Sequence, residues 1–191
     1  QGLVPPSLVI APASVIANWR VEFARFAPGL RIRVAHPSEA DFDVTDAAAL
    51  AAALADVDVA ITSYGIATRS AALQGRGWHR VILDEAQAIK NPATRQARAV
   101  RRLQTGARVA LTGTPVENRA ADLWALFDFL SPGLLGDAAA FGRLVKRPGA
   151  GEHTGYAVVR RLASPYLLRR LKTDRKVIAD IAAQDAAAFG E

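Results

Sequence analysis

Two short apolar runs, each followed at once by residues with reactive side chains, constrain this chain most. Val81 to Leu83 leads into Asp84 and Glu85, and Val109 to Leu111 leads into Thr112 to Pro115. Runs of this length and composition are typical of buried parallel strands. Ligands of open α/β sheets bind at the carboxyl ends of the strands. The sequence therefore predicts two strand ends at one edge of a sheet, one with paired carboxylates and the other with hydroxyls on a tight turn.

This combination of side chains suits the hydrolysis of a nucleotide. Carboxylates such as Asp84 and Glu85 bind Mg²⁺ and activate water, and hydroxyls can sense a γ-phosphate. Taken alone, each half has a simpler interpretation. An apolar strand followed by two acids is common, and Thr-Gly-Thr-Pro is most often only a turn, because Gly and Pro interrupt regular structure. Both halves at successive strand ends are much less expected by chance.

Strands and helices alternate five times between Ser7 and Leu130. This alternation predicts an α/β fold with a parallel sheet and helices on both faces. Beyond Gly133 basic helices replace the alternation, so we expect a sheet domain over 1–133 and a helical region over 134–191. Besides the two apolar runs, the pattern predicts strands at Ser7–Ala11, Arg31–Ala35 and Val57–Thr62, and helices at Thr45–Ala55 and Ala121–Leu130.

Two further helices are predicted from capping residues. Ser14 is a candidate cap for the first helix, and Asn91, followed by Pro92, is a candidate cap for a later one. Trp19 falls on the apolar face of the first helix, where a core aromatic residue is the favoured interpretation. The apolar face as a whole consists of Ile16, Trp19, Phe23 and Phe26.

Composition excludes several classes of protein and points to an anionic partner. The chain of 191 residues contains no cysteine, which excludes disulfides and zinc–thiolate sites. It has no apolar run of about 18 residues, so we expect no transmembrane helix. Positive charge is concentrated in two segments, 90–108 with six basic residues and no acid, and 143–176 with ten basic residues and two acids. Such concentration favours a surface that follows a phosphate backbone, although arginine-rich solvated helices remain the alternative.

Several longer strings resemble a known family. DEAQAIKN (84–91) and LTGTPVEN (111–118) resemble motifs II and III of the Swi/Snf-type ATP-dependent DNA translocases in helicase superfamily two. The string from Leu8 to Phe26 resembles motif Ia, ITSYG (61–65) resembles the motif Ib region, and LLRRLKTD (167–174) resembles the box that follows the family's helical insertion. The motifs stand in the family's order and cover nearly the whole chain. The form LTGTP differs from the Ser-Ala-Thr of the DEAD-box RNA helicases.

The resemblance implies a RecA-like lobe of three layers with a small helical protrusion, and a DNA-dependent ATPase that moves along double-stranded DNA. ATP and Mg²⁺ are the implied cofactors, and Asp84 would hold the metal. The implied catalytic residues are Asp84, Glu85, Thr112, Gly113 and Thr114. The implied DNA-binding residues are Ala13, Ser14, Asn18, Thr62, Ser63, Tyr64, Lys90, Asn91, Arg169 and Lys172.

Two parts of such a motor are not found in the sequence. No string of the form GxxxxGK[ST] occurs, and the second RecA-like lobe, which supplies arginines across the cleft, is missing. Since the chain begins with Gln1, we interpret it as an excised piece that would not hydrolyse ATP alone. A non-catalytic nucleic-acid-binding or interaction lobe is the alternative, and a restriction or repair translocase is a third possibility. We expect an intracellular location, in the cytoplasm of a bacterium or the nucleus of a eukaryote, with no membrane partner.

Overall fold

Five parallel strands form the centre of the molecule. The computed structural model describes residues 4–113, 120–145 and 164–166. Its strands are β1 (Ser7–Ala11), β2 (Ile32–Val34), β3 (Val59–Ser63), β4 (Gly77–Leu83) and β5 (Gln104–Ala110). They pair in the order β2-β3-β1-β4-β5, so β1 is central and its carboxyl end lies between those of β3 and β4. The predicted α/β fold with a parallel sheet is confirmed.

In the described residues, seven α-helices connect or follow these strands. Asp46 caps the second helix, because its carboxylate accepts hydrogen bonds from the backbone N–H groups of Ala48 and Ala49. Ser63 and Ser70 cap the next two helices in the same way. The helices are α1 (Ile16–Phe26), α2 (Ala47–Ala53), α3 (Tyr64–Arg69), α4 (Ala71–Gly75), α5 (Arg95–Arg102), α6 (Ala120–Leu130) and α7 (Ala138–Val145).

Two of the predicted caps are wrong. A 3-10 turn over Ala13–Val15 precedes α1, which therefore begins after Val15 and has no side-chain cap from Ser14. The Asn91 side chain accepts a hydrogen bond from the Ala93 N–H and closes a local turn, while Thr94 caps α5. In both places a short turn intervenes between the polar residue and the helix. Such turns are an alternative use of the same side chains.

The core lies on both faces of the sheet. On one face Val9 and Ile61 pack with Ile16, and Trp19 and Phe23 of α1 cover them. On the other face Leu8 and Ile10 of β1 join a larger cluster that includes residues of α2 to α6. Period-two alternation along β1 thus buries successive side chains in opposite layers. Phe26 departs from the predicted apolar face, since it is 55% exposed and carries the Arg25 guanidinium over its ring.

The edge strand β5 is less buried than its neighbours. Its side chains alternate between exposed and half-buried positions, and Val109 and Leu111 are both exposed. Backbone bonds nevertheless extend the pairing past the strand end, since Leu111 N–H donates to the Leu83 carbonyl at 2.7 Å. The end of β5 is therefore held beside the end of β4.

The chain divides into two units, residues 1–144 and 145–191. The predicted boundary at 133/134 falls within the first unit, which continues through most of α7. In the second unit the structure describes only the 3-10 turn Ser164–Tyr166, so the predicted LLRRLKTD box lies outside the described residues. Within the described ranges, no helix has the length and apolar character needed to cross a membrane.

Candidate nucleotide and metal site

Asp84 and Glu85 project from the carboxyl end of β4. The Asp84 N–H donates to the Ile10 carbonyl at 2.8 Å, which continues the pairing with β1 by one residue. The chain then turns at Glu85, whose φ of 49° and ψ of 51° place it in the left-handed region. Side chains with a Cβ adopt this conformation at a cost. Both residues remain half-buried.

Three hydrogen bonds hold Asp84 in place. Its Oδ2 accepts from the Trp19 indole Nε1 at 2.8 Å, and its Oδ1 accepts from the Glu85 N–H at 2.8 Å. Its backbone carbonyl accepts from the Tyr64 hydroxyl at 2.8 Å. Trp19 of α1 and the Glu85 N–H therefore meet at the carboxylate, and Tyr64 of α3 holds the backbone of the same residue. Each carboxylate oxygen keeps a further lone pair for a ligand.

Gln87 connects the two strand ends, and the sequence analysis did not single it out. Its Nε2 donates to Glu85 Oε2, and its Oε1 accepts from the Thr112 hydroxyl at 2.8 Å. The backbone supports the same contact, because Ala86 N–H donates to the Leu111 carbonyl at 2.8 Å. Its place in the string DEAQ, two positions after Glu85, is the signal that could have identified it. The carboxylate of Glu85 and the hydroxyl of Thr112 therefore lie at one edge of the sheet, and the Gln87 amide connects them.

The residues present fit a divalent cation that also binds a nucleotide. Mg²⁺ usually takes one or two carboxylates, with phosphate oxygens and water completing its six ligands. Asp84 and Glu85 supply such oxygens, and no lysine or arginine of the described ranges forms an ion pair with either. The same ranges contain no group of three or more His, Cys, Asp or Glu side chains that could hold a metal without a substrate. Gly113 is exposed beside this site, and Thr114 lies outside the described residues.

Five of the predicted DNA-binding residues are exposed near this edge of the sheet. Ala13 and Ser14 follow β1, and Asn18 lies one turn into α1. Lys90 and Asn91 follow the short 3-10 turn after Glu85. Because the strands are parallel, these segments all emerge from the carboxyl ends of neighbouring strands. They are therefore available on the surface that also carries the two carboxylates.

Three other predicted DNA-binding residues have buried side chains, and the structure assigns them internal roles. Thr62 is fully buried, and its hydroxyl donates to the Ala35 carbonyl at 2.6 Å. Ser63 caps α3, and Tyr64 bonds to Asp84. The interior position of β3, between β2 and β1, explains this burial. Arg169 and Lys172 lie outside the described residues.

The basic segment 90–108 divides into exposed and internal residues. Arg101 Nε lies 2.9 Å from Asp128 Oδ2, and its guanidinium lies over the Trp124 ring. Arg108 donates to the Phe129 carbonyl at 2.8 Å, and burial lowers the pKa of its guanidinium. Through these contacts Arg101 of α5 and Arg108 of β5 hold both elements against α6. The exposed basic residues of the segment are Lys90, Arg95, Arg98 and Arg102.

Three comparisons with known proteins point to the same family. A profile of the SNF2-related domain matches residues 1–186. The Bacillus subtilis protein YwqA, named as a candidate ATP-dependent helicase/translocase, is 37% identical over 183 residues, which are 92% of this chain and 19% of that protein. The ISWI chromatin-remodeling complex ATPase ISW2 of Saccharomyces cerevisiae is 34% identical over 174 residues, covering 88% of this chain and 15% of that protein.

A solved structure shows the same fold. The SWI2/SNF2 ATPase core of Sulfolobus solfataricus in complex with dsDNA superposes with a TM-score of 0.77 and 38% sequence identity. The match covers 92% of this chain and 36% of that chain. The present chain therefore spans less than a fifth of the length of the two curated relatives and about a third of the solved ATPase core.

Proposed function

This chain belongs to the family of SNF2-related domains, and from that premise we propose that it is part of an ATP-dependent motor that moves along double-stranded DNA. The two relatives and the solved ATPase core described above carry ATP-dependent activities in their names, and the solved core is bound to dsDNA. Because the chain covers only part of each of them, activity, substrate and partners are proposed for the parent protein. Such a protein works where the DNA is, in the cytoplasm of a bacterium or the nucleus of a eukaryote.

The connected group formed by Asp84, Glu85, Gln87 and Thr112 carries this proposal. It brings two carboxylates and a hydroxyl together through hydrogen bonds at the adjacent ends of β4 and β5. Carboxylates in this position can orient a metal and a water, and the hydroxyl can respond to the terminal phosphate. The group lies at the carboxyl edge of a parallel sheet, where α/β proteins bind nucleotides.

Each member of the group has a proposed role in ATP hydrolysis. Asp84 would hold Mg²⁺, which when bound neutralises charge on the phosphates. Glu85 would orient the attacking water and accept its proton, while the water oxygen bonds to the γ-phosphorus and ADP departs. Thr112, Gly113 and Thr114 would relay the state of the γ-phosphate to the DNA-binding surface. Gln87 would keep Glu85 and Thr112 in a fixed relation.

The exposed residues at the same edge are proposed to contact the DNA backbone. Lys90 would supply positive charge, and Ser14, Asn18 and Asn91 would supply neutral hydrogen-bonding groups. Ala13 has a small side chain that would let the DNA backbone come close. Contacts of these kinds fix position on DNA without reading its sequence. Arg169 and Lys172 are proposed to add to this surface on the strength of the motif resemblance.

Hydrolysis is proposed to require regions outside these 191 residues. A phosphate-binding loop would cradle the β- and γ-phosphates, and arginines from a second lobe would stabilise charge in the transition state, usually by about 10³-fold or more in rate. Opening and closing of the two lobes around ATP would then produce movement. The isolated chain is expected to bind Mg·ATP only weakly, and micromolar affinity in calorimetry would contradict this.

The decisive experiment measures ATP hydrolysis by the parent protein with and without duplex DNA. Glu85→Gln should abolish DNA-stimulated turnover, a loss of about 10²-fold to 10⁴-fold if Glu85 acts as the base. Glu22→Gln on the exposed side of α1 is the matched control and should leave the rate unchanged. Salt-sensitive DNA binding without turnover would instead support the non-catalytic binding lobe.

A further inference from the structure

The indole of Trp19 forms a long-range hydrogen bond with the carboxylate of Asp84. Nε1 lies 2.8 Å from Oδ2, and the two residues are 65 positions apart in the sequence. Trp19 belongs to α1, whereas Asp84 follows β4. The bond therefore joins a helix on one face of the sheet directly to the proposed metal ligand.

The Trp19 ring is held firmly enough to fix the position of its N–H. It packs against the cluster of Val9, Ile16 and Ile61 beneath α1, and its ring centroid lies 5.5 Å from that of Phe23. Glu85 N–H holds the other carboxylate oxygen of Asp84 at 2.8 Å. With one donor on each oxygen, the plane of the carboxylate is determined.

An indole is a suitable donor for a carboxylate that must also bind a cation. It donates one hydrogen bond, accepts none and carries no charge. A lysine or arginine in the same place would orient Asp84 equally well but would neutralise the negative charge that attracts the metal. Trp19 orients the carboxylate and leaves its charge available.

We propose that Trp19 is a positioning residue that sets the orientation of Asp84 for a divalent cation and links that carboxylate to the DNA-facing start of α1. The inference rests on the proposed function, because it takes Asp84 as the metal ligand. Asn18 is the exposed neighbour of Trp19, and the exposed turn Ala13–Val15 leads directly into α1. A phosphate backbone that displaces the first turn of α1 would therefore move the indole N–H relative to Asp84.

The test follows the indole signals of the 191-residue chain by NMR while Mn²⁺ is added in the presence of ATP, whose phosphate oxygens complete the ligands of the ion. The chain has three tryptophans, and Trp78 and Trp124 donate to the backbone carbonyls of Leu73 and Gly136, so both serve as internal references. Bound Mn²⁺ broadens nearby signals. It should broaden the Trp19 indole and the amides of Asp84 and Glu85 at concentrations that leave the two references sharp.

Two variants separate positioning from packing. Trp19→Phe keeps an aromatic ring but removes the N–H, and should raise the Mn²⁺ concentration for half-broadening of the Asp84 and Glu85 amides about tenfold, as expected for a partner of a metal ligand. Ile32→Val removes a methyl group from the same core cluster but keeps the Trp19 indole and its ring contact with Phe23, and should leave that concentration unchanged. Unmoved Trp78 and Trp124 signals report that each variant is folded.

The outcomes are distinguishable. If Mn²⁺ does not broaden signals near Asp84 in the unsubstituted chain, the metal role of Asp84 fails and the inference fails with it. If broadening is present but equal in Trp19→Phe, only the inference is overturned. Should Trp19→Phe not fold, Asp84→Ala decides, because loss of the acceptor should shift the Trp19 indole proton upfield and speed its exchange with water. An unchanged Trp19 signal would refute the bond.

Discussion

The Tyr64 hydroxyl donates a hydrogen bond to the backbone carbonyl of Asp84 at 2.8 Å. Tyr64 is buried at the start of α3, directly after β3. Burial, together with the negative charges of Asp84 and Glu85, raises the pKa of its hydroxyl well above the usual value. The phenol therefore keeps its proton and remains a donor. Tyr64 thus supports the end of the strand that carries the carboxylates, while its contact with nucleic acid stays a prediction.

Tyr64→Phe should lower the free energy of unfolding by about 1 kcal/mol, because it removes one hydrogen bond and keeps the ring. Urea denaturation of the chain measures this change. The affinity for duplex DNA and its dependence on salt should stay the same, as measured by fluorescence anisotropy. A loss of DNA affinity with unchanged stability would restore the surface role predicted from the sequence.

Thr62→Val tests an internal hydrogen bond at a fully buried position. The substitution keeps the shape but removes the donor to the Ala35 carbonyl. An unsatisfied buried acceptor costs about 1–3 kcal/mol, so thermal or urea unfolding should show a loss of that order. Val21→Thr, the reverse exchange at a position that is 59% exposed, is the matched control, and a change within about 0.5 kcal/mol is expected there. Equal losses at the two positions would contradict the internal role of Thr62.

The sequence was sufficient for the elements of the fold but not for every residue of the site. Apolar runs predicted the strands because burial in a parallel sheet requires them, and β1 was placed at Ser7–Ala11 as observed. The alternation predicted parallel pairing but not the order of the strands, which depends on the crossovers. The burial of Thr62 was not predicted, because a polar residue at a strand end can face either a neighbour or the solvent.

Gln87 and Trp19 show why the site was incomplete. Gln87 reaches both Glu85 and Thr112 only because the chain turns at Glu85, and no sequence pattern predicts a left-handed glutamate. Trp19 was interpreted as a core aromatic residue, and it does pack in the core. Its bond to Asp84 depends on where α1 lies across the sheet. The bonds of Gln87 and Trp19 both depend on how distant parts of the chain pack together, which a local sequence pattern does not show.

The left-handed conformation of Glu85 predicts an inverted preference between glycine and alanine. At most ordered positions alanine is more stable than glycine, but a Cβ at positive φ costs about 1–2 kcal/mol. Glu85→Gly should therefore be more stable to urea than Glu85→Ala by about 1 kcal/mol. Both variants lose the same carboxylate, so the pair isolates the backbone. Greater stability of the alanine variant would argue against the left-handed turn.

Asp58 predicts a dependence of stability on acid. Its hydrogen bonds with the Arg31 side chain and N–H lower its pKa from 3.8 to about 2. Because the pKa is lower in the folded state, the stabilisation is present above the unfolded value and is lost as the pH falls from about 4 to about 2. Asp58→Asn should flatten the fall of the urea midpoint within that window. An unchanged acid profile would show that this contact does not contribute.

Gln87 offers the sharpest test of the link between the two strand ends. Gln87→Leu has similar size but forms neither the bond to Glu85 nor the bond to Thr112. In the parent protein it should lower DNA-stimulated kcat about tenfold, equivalent to about 1.4 kcal/mol in the barrier, with little change in the KM for ATP.

Thr112→Val removes the same link from the other side, so the two substitutions form a double-mutant cycle. If Thr112 passes its response to the γ-phosphate through the bond to Gln87, the double variant should be no slower than Gln87→Leu alone, because the Thr112 hydroxyl no longer contributes once Gln87 is lost. Multiplicative losses in kcat would show that the two side chains act independently. In that case Gln87 would serve Glu85 only, and the response of Thr112 to the γ-phosphate would have to travel through the backbone contact between Ala86 and Leu111.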